Sequence, residues 1–210
     1  MISIRRARPG DAAAIAAVHV AAWRSAYAGI LGESYLVGLS EARMAAFYHR
    51  AILDRREGHA VFVAAVAEEE GPGVTPQMPG LGQPQVAGFA PPLVVGFASG
   101  GRARRRGLAE GEVETLYLLD DYRERGCGRR LMRAMAAHLR AIGCNSAMAW
   151  VLEDNPSRFF YRHIGGRLAM HEAIHVAGQS VEQVALVWDP IDTLLAATAS
   201  VQEGRLREGG

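Results

Sequence analysis

"GEVETLYLLDDYRERGCGRRLM", residues 111–132, decides how the chain folds. Its first part, Glu112–Leu119, alternates and carries aromatic and β-branched residues, which predicts a strand. Its last part begins a helix, "RRLMRAMAAHLRAIG". Leu131, Met135, Leu139 and Ile142 recur on one face, with Arg129, Arg133 and Arg140 largely off it, and Gly143 is a suitable stop. Between them lies Arg123-x-x-Gly126-x-Gly128. Glycines allow close backbone approach and expose successive N–H groups. The following helix adds the positive end of its dipole at the same point. Strand, glycine turn and helix together make a socket for a pyrophosphate, with Arg123, Arg125, Arg129 and Arg130 adjacent to supply charge. A tight strand-to-helix turn with no ligand is the plainer reading of a lone Gly-x-Gly. The stretch lacks the third glycine of the dinucleotide fingerprint and is not a G-x-x-x-x-G-K-[ST] loop.

Working outward, Ile2–Arg6 alternates as a first strand. "PGD" breaks it, and Asp11 is placed to accept the free N–H groups of a helix carrying Ile15, Val18, Ala22, Trp23 and Tyr27, ended by Gly29 and Gly32. Ser40 caps a second helix, with Met44, Phe47 and Ile52 as its apolar stripe. Ala60–Ala67 and Leu93–Ser99 read as strands. Between them, residues 68–92 hold six of the nine prolines, a composition that opposes helix and central strand and predicts a flexible insertion. Downstream, Ser146–Leu152 reads as a strand. "NPSRFFYRHIGG" reads as a short helix with Asn155 as cap and Pro156 first. Arg167–Val176 and Val181–Trp188 form a hairpin around "AGQS". The expected organisation is one α/β domain over residues 1–189 and a partly helical tail over 190–210.

Composition narrows the class. The chain has 210 residues, is 50% hydrophobic and carries a net charge of +1. That suits one domain with a substantial core and gives no global field toward nucleic acid or membrane. The run Arg102, Arg104, Arg105, Arg106 is locally basic: a solvated loop by default, an anion-binding loop as the sharper alternative. Two cysteines, Cys127 and Cys144, make no disulfide framework, the N-terminus "MISIRRARPGD" has no apolar run of signal-peptide length, and no stretch reaches 18 uninterrupted apolar residues, so the expected location is the cytoplasm.

"HEAIH", His171–His175, matches the H-E-x-x-H zinc signature. That chemistry needs both histidines one helical turn apart. The stretch lies instead in a run expected to be a strand, where residues four apart are about 13 Å apart at about 3.3 Å each. No metal is expected.

Residues 111–132 resemble the acetyl-coenzyme A motif of the GNAT N-acetyltransferases: a strand end, a [Q/R]-x-x-G-x-[G/A] loop and a helix. "VVGFASGGRAR" is similar to the preceding strand, "NPSRFFYRHIGGR" to the next helix and "AAWRSAYAGIL" to the acceptor-side helices of many bacterial members. The resemblance runs from about Ile2 to Trp188, outside the insertion. It implies a mixed central sheet, splayed at the cofactor site and flanked by helices. It implies that Gly126, Cys127, Gly128 and Arg129 donate backbone N–H groups to the pyrophosphate, bordered by Arg123 and Arg125. Leu116, Tyr117 and Leu118 would pair with the pantetheine arm, an N–H near Leu118 would polarise the thioester carbonyl, and Asn155 would lie close to the cofactor. Tyr161 matches the tyrosine that protonates the departing thiolate in many members. Glu112 matches a basic glutamate of several members, with Glu114 in reserve; the alternation puts both on one face with Leu116 and Leu118. Trp23 and Tyr27 resemble acceptor-pocket aromatics. Asp120 departs from the family, where proline is common.

The expected activity is direct acetyl transfer from acetyl-CoA to a small-molecule or peptide amine in a ternary complex, without metal. The alternative is a non-catalytic module that binds an acyl-CoA and regulates a partner. Family members are often dimers, which leaves a homodimer open.

Overall fold

The computed structural model describes residues 1–54, 56–66, 93–105 and 107–199. The expected insertion and most of the expected tail fall outside these residues. In chain order the elements are β1 (Ile2–Arg6), α1 (Ala12–Ala26), α2 (Glu33–Val37), α3 (Glu41–Leu53), β2 (Ala60–Val66), β3 (Leu93–Arg102), β4 (Gly111–Leu118), α4 (Cys127–Ala141), β5 (Ala147–Leu152), α5 (Ser157–His163), β6 (Arg167–Val176), β7 (Gln179–Trp188) and α6 (Asp192–Ala197). The seven strands form one sheet in the order β1-β2-β3-β4-β5-β7-β6. Every pairing is antiparallel except β4 with β5. The α/β class and mixed sheet read from the sequence are therefore found. No helix among the described residues is long and apolar enough to cross a membrane.

Two cores lie on the two faces of the sheet. On one face α4 buries Leu131, Met135 and Leu139 completely, together with Trp188, Ile164 and Leu194. Each such side chain contributes roughly 1.5–3 kcal/mol by leaving water. The Trp188 indole N–H donates to the Ile164 carbonyl at 2.9 Å, so its burial leaves no orphan donor. On the other face α1 and α3 cover Val61, Val63, Val94 and Phe97. The apolar stripe of α3 differs from the expected one. Met44 and Ile52 pack inward, but Phe47 is 49% exposed and Tyr48 fills its place in the core.

Local chemistry explains other departures. Asp11 does not cap the first turn of α1. Its carboxylate grips the Arg5 guanidinium at 2.7 and 2.8 Å and accepts the Arg8 N–H at 2.7 Å, locking the β1–α1 corner. Ser40 does cap α3, accepting the Arg43 N–H. The β6–β7 turn is Ala177–Gly178 alone, both at positive φ, so β7 starts two residues before Val181.

The largest departure is in β4. The pairing with β3 jumps between Ser99 and Gly100, so that Ser99 faces Thr115 while Gly100 faces Val113. Glu114 is the extra residue of a β-bulge. Val113, Leu116 and Leu118 consequently all pack toward α4, and Tyr117 toward α1 and α3. Glu112 and Glu114 therefore do not share a face with Leu116 and Leu118. Gly100 permits the bulge: a Cβ there would sit 2.2 Å from the Glu112 carbonyl oxygen.

Two outcomes follow for stability. Gly100→Ala should cost about 1–3 kcal/mol in urea unfolding, as overpacking does, whereas Gly10→Ala, whose Cβ would meet nothing within 4 Å, should cost little. The second concerns acid. The Arg5 hydrogen bond, with help from the Arg8 backbone, holds the Asp11 carboxyl below its usual range despite burial. A lowered folded value stabilises above the unfolded pKa of about 3.9 and is lost as pH falls through the folded value. Asp11→Asn should accordingly show a smaller drop in urea midpoint than the parent between pH 6 and pH 3.

Candidate active site

β4 and β5 pair only from Gly111–Val113 to Ala147–Ala149. Beyond that the strands part, and β4 continues from Thr115 to Leu118 with β3 on one side and, among the described residues, no strand on the other. A cleft of about 650 Å3 occupies the gap. The end of β4, the turn before α4, and the β5–α5 corner all border it.

At the α4 end, Gly126 adopts φ +74, the left-handed region that favours glycine, and α4 begins at Cys127. Gly126, Gly128 and Arg129, at the head of this helix, border the cleft, and the first amides of a helix have no intrahelical acceptor. A Cβ on Gly128 would come 3.4 Å from Leu118 and 3.5 Å from Phe160, so glycine keeps the passage between β4 and α5 open. Arg123 ion-pairs with Asp120 at 3.0 Å, and Asp120 also accepts the Ser25 hydroxyl at 2.6 Å. Asp120 therefore ties α1 to the turn, with its charge partly offset by Arg123. Arg125 lies over the Tyr122 ring. Arg130 donates to the Ile2 carbonyl, and Arg133 to that of Leu195, so these two anchor α4 to its neighbours.

Across the cleft, the Asn155 side chain accepts the Ser157 N–H at 2.8 Å and starts α5, one residue later than the sequence suggested. Tyr161 is buried at the cleft wall. Burial, aided by neighbouring Tyr27, pushes its hydroxyl above the usual phenol range. The Tyr27 and Tyr117 hydroxyls are raised by burial too. Trp23 stacks on His19, whose pKa burial lowers to about 4, and contacts Tyr27 edge to face.

The two carboxylates of β4 separate in role. Glu114 borders the cleft. Burial alone would raise it, but His59 at 3.4 Å and Arg104 at 2.9 Å together hold it below the usual carboxylate range. Glu112 is raised by burial, against a hydrogen bond from the Arg104 backbone, and it lies outside the cleft wall. The arginine loop after β3 is thus no bare solvated run: Arg104 meets Glu114, and Arg105 meets Glu172 at 2.6 Å.

Of the residues singled out from sequence, Tyr27, Glu114, Leu116, Tyr117, Leu118, Arg123, Gly126, Gly128, Arg129, Asn155 and Tyr161 border one cleft. Glu112, Trp23, Arg125 and Cys127 stand behind or beside its wall. Sequence reasoning missed Phe160 and Trp150, which line it, and His59, which faces Glu114. Phe160 sits beside Tyr161 in the "RFFYRH" helix and was within reach of the motif; His59 carries no local signal. The H-E-x-x-H stretch is part of strand β6, so His171 and His175 are not one helical turn apart. Among the described residues, no group of three or more His, Cys, Asp and Glu is placed to hold a metal ion.

Comparison with known proteins agrees with this geometry. The FR47-like protein family model matches residues 99–175, from the end of β3 through β6. An uncharacterized N-acetyltransferase, YuaI of Bacillus subtilis, is 28% identical over 92% of this chain and 96% of its own length. The PaiA N-acetyltransferase of Thermoplasma acidophilum, solved in complex with coenzyme A, superposes with a TM-score of 0.60 at 18% identity, covering 87% of this chain and 98% of that one. YncA of Salmonella typhimurium, a putative acetyltransferase solved with acetyl-CoA, gives 0.58 at 19% identity over 90% and 93%. The parted strands, the glycine turn at the head of α4 and these likenesses agree on the fold, which is that of the GNAT acetyltransferases.

Proposed function

We propose that the protein is an N-acetyltransferase that binds acetyl-CoA along the free edge of β4 and passes the acetyl group directly to a primary amine in a ternary complex. The observation that carries this reading is the parting of β4 and β5 beyond Val113 and Ala149, with α4 starting at the same opening. An extended pantetheine arm can add to β4 as a strand would. The amides of Gly126, Cys127, Gly128 and Arg129 suit a diphosphate at a helix start, flanked by Arg123 and Arg125. The relatives solved with coenzyme A and acetyl-CoA have the same fold.

Bound acetyl-CoA supplies a thioester that a neutral amine can attack. The chain's residues then divide the work. An N–H near Leu118 polarises the carbonyl as an oxyanion donor. Tyr161, kept protonated by its buried setting, gives its proton to the leaving sulfur, with Asn155 beside it. Of the two glutamates, Glu114 is the better base because it borders the cleft, whereas Glu112 does not. Glu114 takes the amine proton, directly or through a water. Tyr27, backed by Trp23, walls the acceptor side.

Release of free thiol from acetyl-CoA in the presence of a panel of primary amines tests the reading and separates it from a non-catalytic acyl-CoA sensor. Turnover with at least one amine is expected, and none with any amine contradicts it. Tyr161→Phe should lower kcat about 10²–10⁴-fold, the usual worth of a positioned acid, with little change in Tm. Gly128→Glu should abolish measurable acetyl-CoA binding by calorimetry, because a carboxylate would fill the passage beside Leu118 and Phe160; unchanged affinity would remove the site from this cleft.

A further inference from the structure

His59 lies in the link between α3 and β2, far in sequence from the glycine turn, yet it touches the carboxylate that borders the cleft. Its Nδ1 is 3.2 Å from the Ala51 carbonyl, in the last turn of α3. Its Nε2 is 3.4 Å from Glu114 Oε2. Both side chains are largely shielded, His59 at 15% and Glu114 at 20% exposure. The contact is built rather than incidental. A Cβ on Gly101 would sit 3.1 Å from the His59 Cα, so the glycine lets the His59 backbone lie against β3. The β4 bulge delivers Glu114 to meet it.

The hydrogen-bond chemistry of this pair is restrictive. A carbonyl oxygen only accepts, so Nδ1 must carry a hydrogen to satisfy Ala51. The neutral ring then presents the Nε2 lone pair to Glu114. A carboxylate facing a lone pair is repulsive, so the pair is satisfied when it holds one further proton, either on Glu114 or on Nε2. His59 also borders a second cavity, of about 230 Å3, lined by Arg6, Arg8, Ile52 and Leu53 among others. Glu114 thus faces the proposed reaction cleft and His59 faces a separate opening.

We propose that His59 is a positioning residue for acyl transfer: it receives from Glu114 the proton shed by the acceptor amine and holds it as an imidazolium until it is lost to water. This rests on the proposed acetyltransferase reading. The steps balance. The ammonium N–H bond breaks, its electron pair stays on nitrogen, and Glu114 becomes a neutral acid. The acid O–H then breaks as the Nε2 lone pair takes the proton, which restores the carboxylate and makes the imidazolium. Nε2–H is finally lost to water, and Nδ1–H stays on Ala51 throughout. The groups that face this pair are Arg104, Glu112 and Tyr48 around Glu114 and Asp54, Arg6 and Arg8 around His59. Arg104 favours the restored carboxylate, so it pulls the relay forward.

Two measurements on the full chain test this. The first needs no acceptor: in 15N-histidine NMR the neutral His59 ring should be the Nδ1–H tautomer, and Glu114→Gln should shift its Nε2 resonance. An Nε2–H tautomer overturns the proposal. The second uses the fastest amine of the panel. His59→Ala should lower kcat about 10–100-fold, displace the rising limb of the pH–kcat/KM profile and leave the acetyl-CoA Kd unchanged. Added imidazole should restore part of the rate, and His59→Gln, which cannot accept a proton, should behave as His59→Ala without being a packing deletion. A profile identical to the parent, or a loss that is equal at every pH and unrescued by imidazole, overturns it. If the parent itself turns over no amine, the acetyltransferase reading fails on its own account, and with it the catalytic role of His59, whatever tautomer the NMR finds.

Discussion

The structure depends on an interruption in hydrogen bonding. β4 pairs with β3 along its length but with β5 only as far as Val113. Past that point one edge of an inner strand has no neighbouring strand among the described residues. Backbone donors and acceptors rarely stay unpaired in a folded protein, so a free edge in the middle of a sheet is a place where an extended ligand can add. The two cores make this tolerable. α4 on one face and α1 with α3 on the other hold β4 in place by side-chain packing, so the parted strands need not hold each other.

What surrounds the gap is tied down by polar contacts specific to this chain. Asp120 joins the turn before α4 to α1 through Arg123 and Ser25. Arg130 fixes the head of α4 to β1. Gln179 in the β6–β7 hairpin accepts the Gly32 N–H, joining the hairpin to the start of α2. The loop after β3 is held by Arg104 on Glu114 and Arg105 on Glu172. Exposed ion pairs of this kind contribute little to stability individually. Their value here is geometric, because each one fixes a segment that borders or neighbours the cleft.

The glycine turn and α4 were legible because their signals are local: a loop of defined spacing, then apolar residues at helical intervals. Ser40 was legible as a helix starter for the same reason, whereas Asn155 was placed one residue too close, since α5 begins at Ser157 with Pro156 as its cap. The bulge was not. Glu112–Leu119 alternates without a break, and the extra residue is set by its partner strand, where Gly100 accepts a carbonyl that any side chain would exclude. That single slip changed which face the two glutamates occupy and moved the weight from Glu112 to Glu114. His59 was invisible for a related reason: it meets Glu114 across the sheet, with more than fifty residues of chain between them. α2 is five residues long, too short to build a periodic pattern. Phe47 and Tyr48 show the limit of the helical stripe, since adjacent aromatics compete for one core position and packing, not spacing, chooses.

The proposed cofactor site requires that the amides at the head of α4 hold a diphosphate. The most direct measurement is an amide 1H–15N titration of the full chain with coenzyme A and, separately, with pantetheine, which lacks the diphosphate. Coenzyme A should move the Gly126, Cys127, Gly128 and Arg129 cross-peaks, while pantetheine should move only those near Leu116–Leu118, at much weaker affinity. Cross-peaks of residues 126–129 that stay in place at saturating coenzyme A would contradict it.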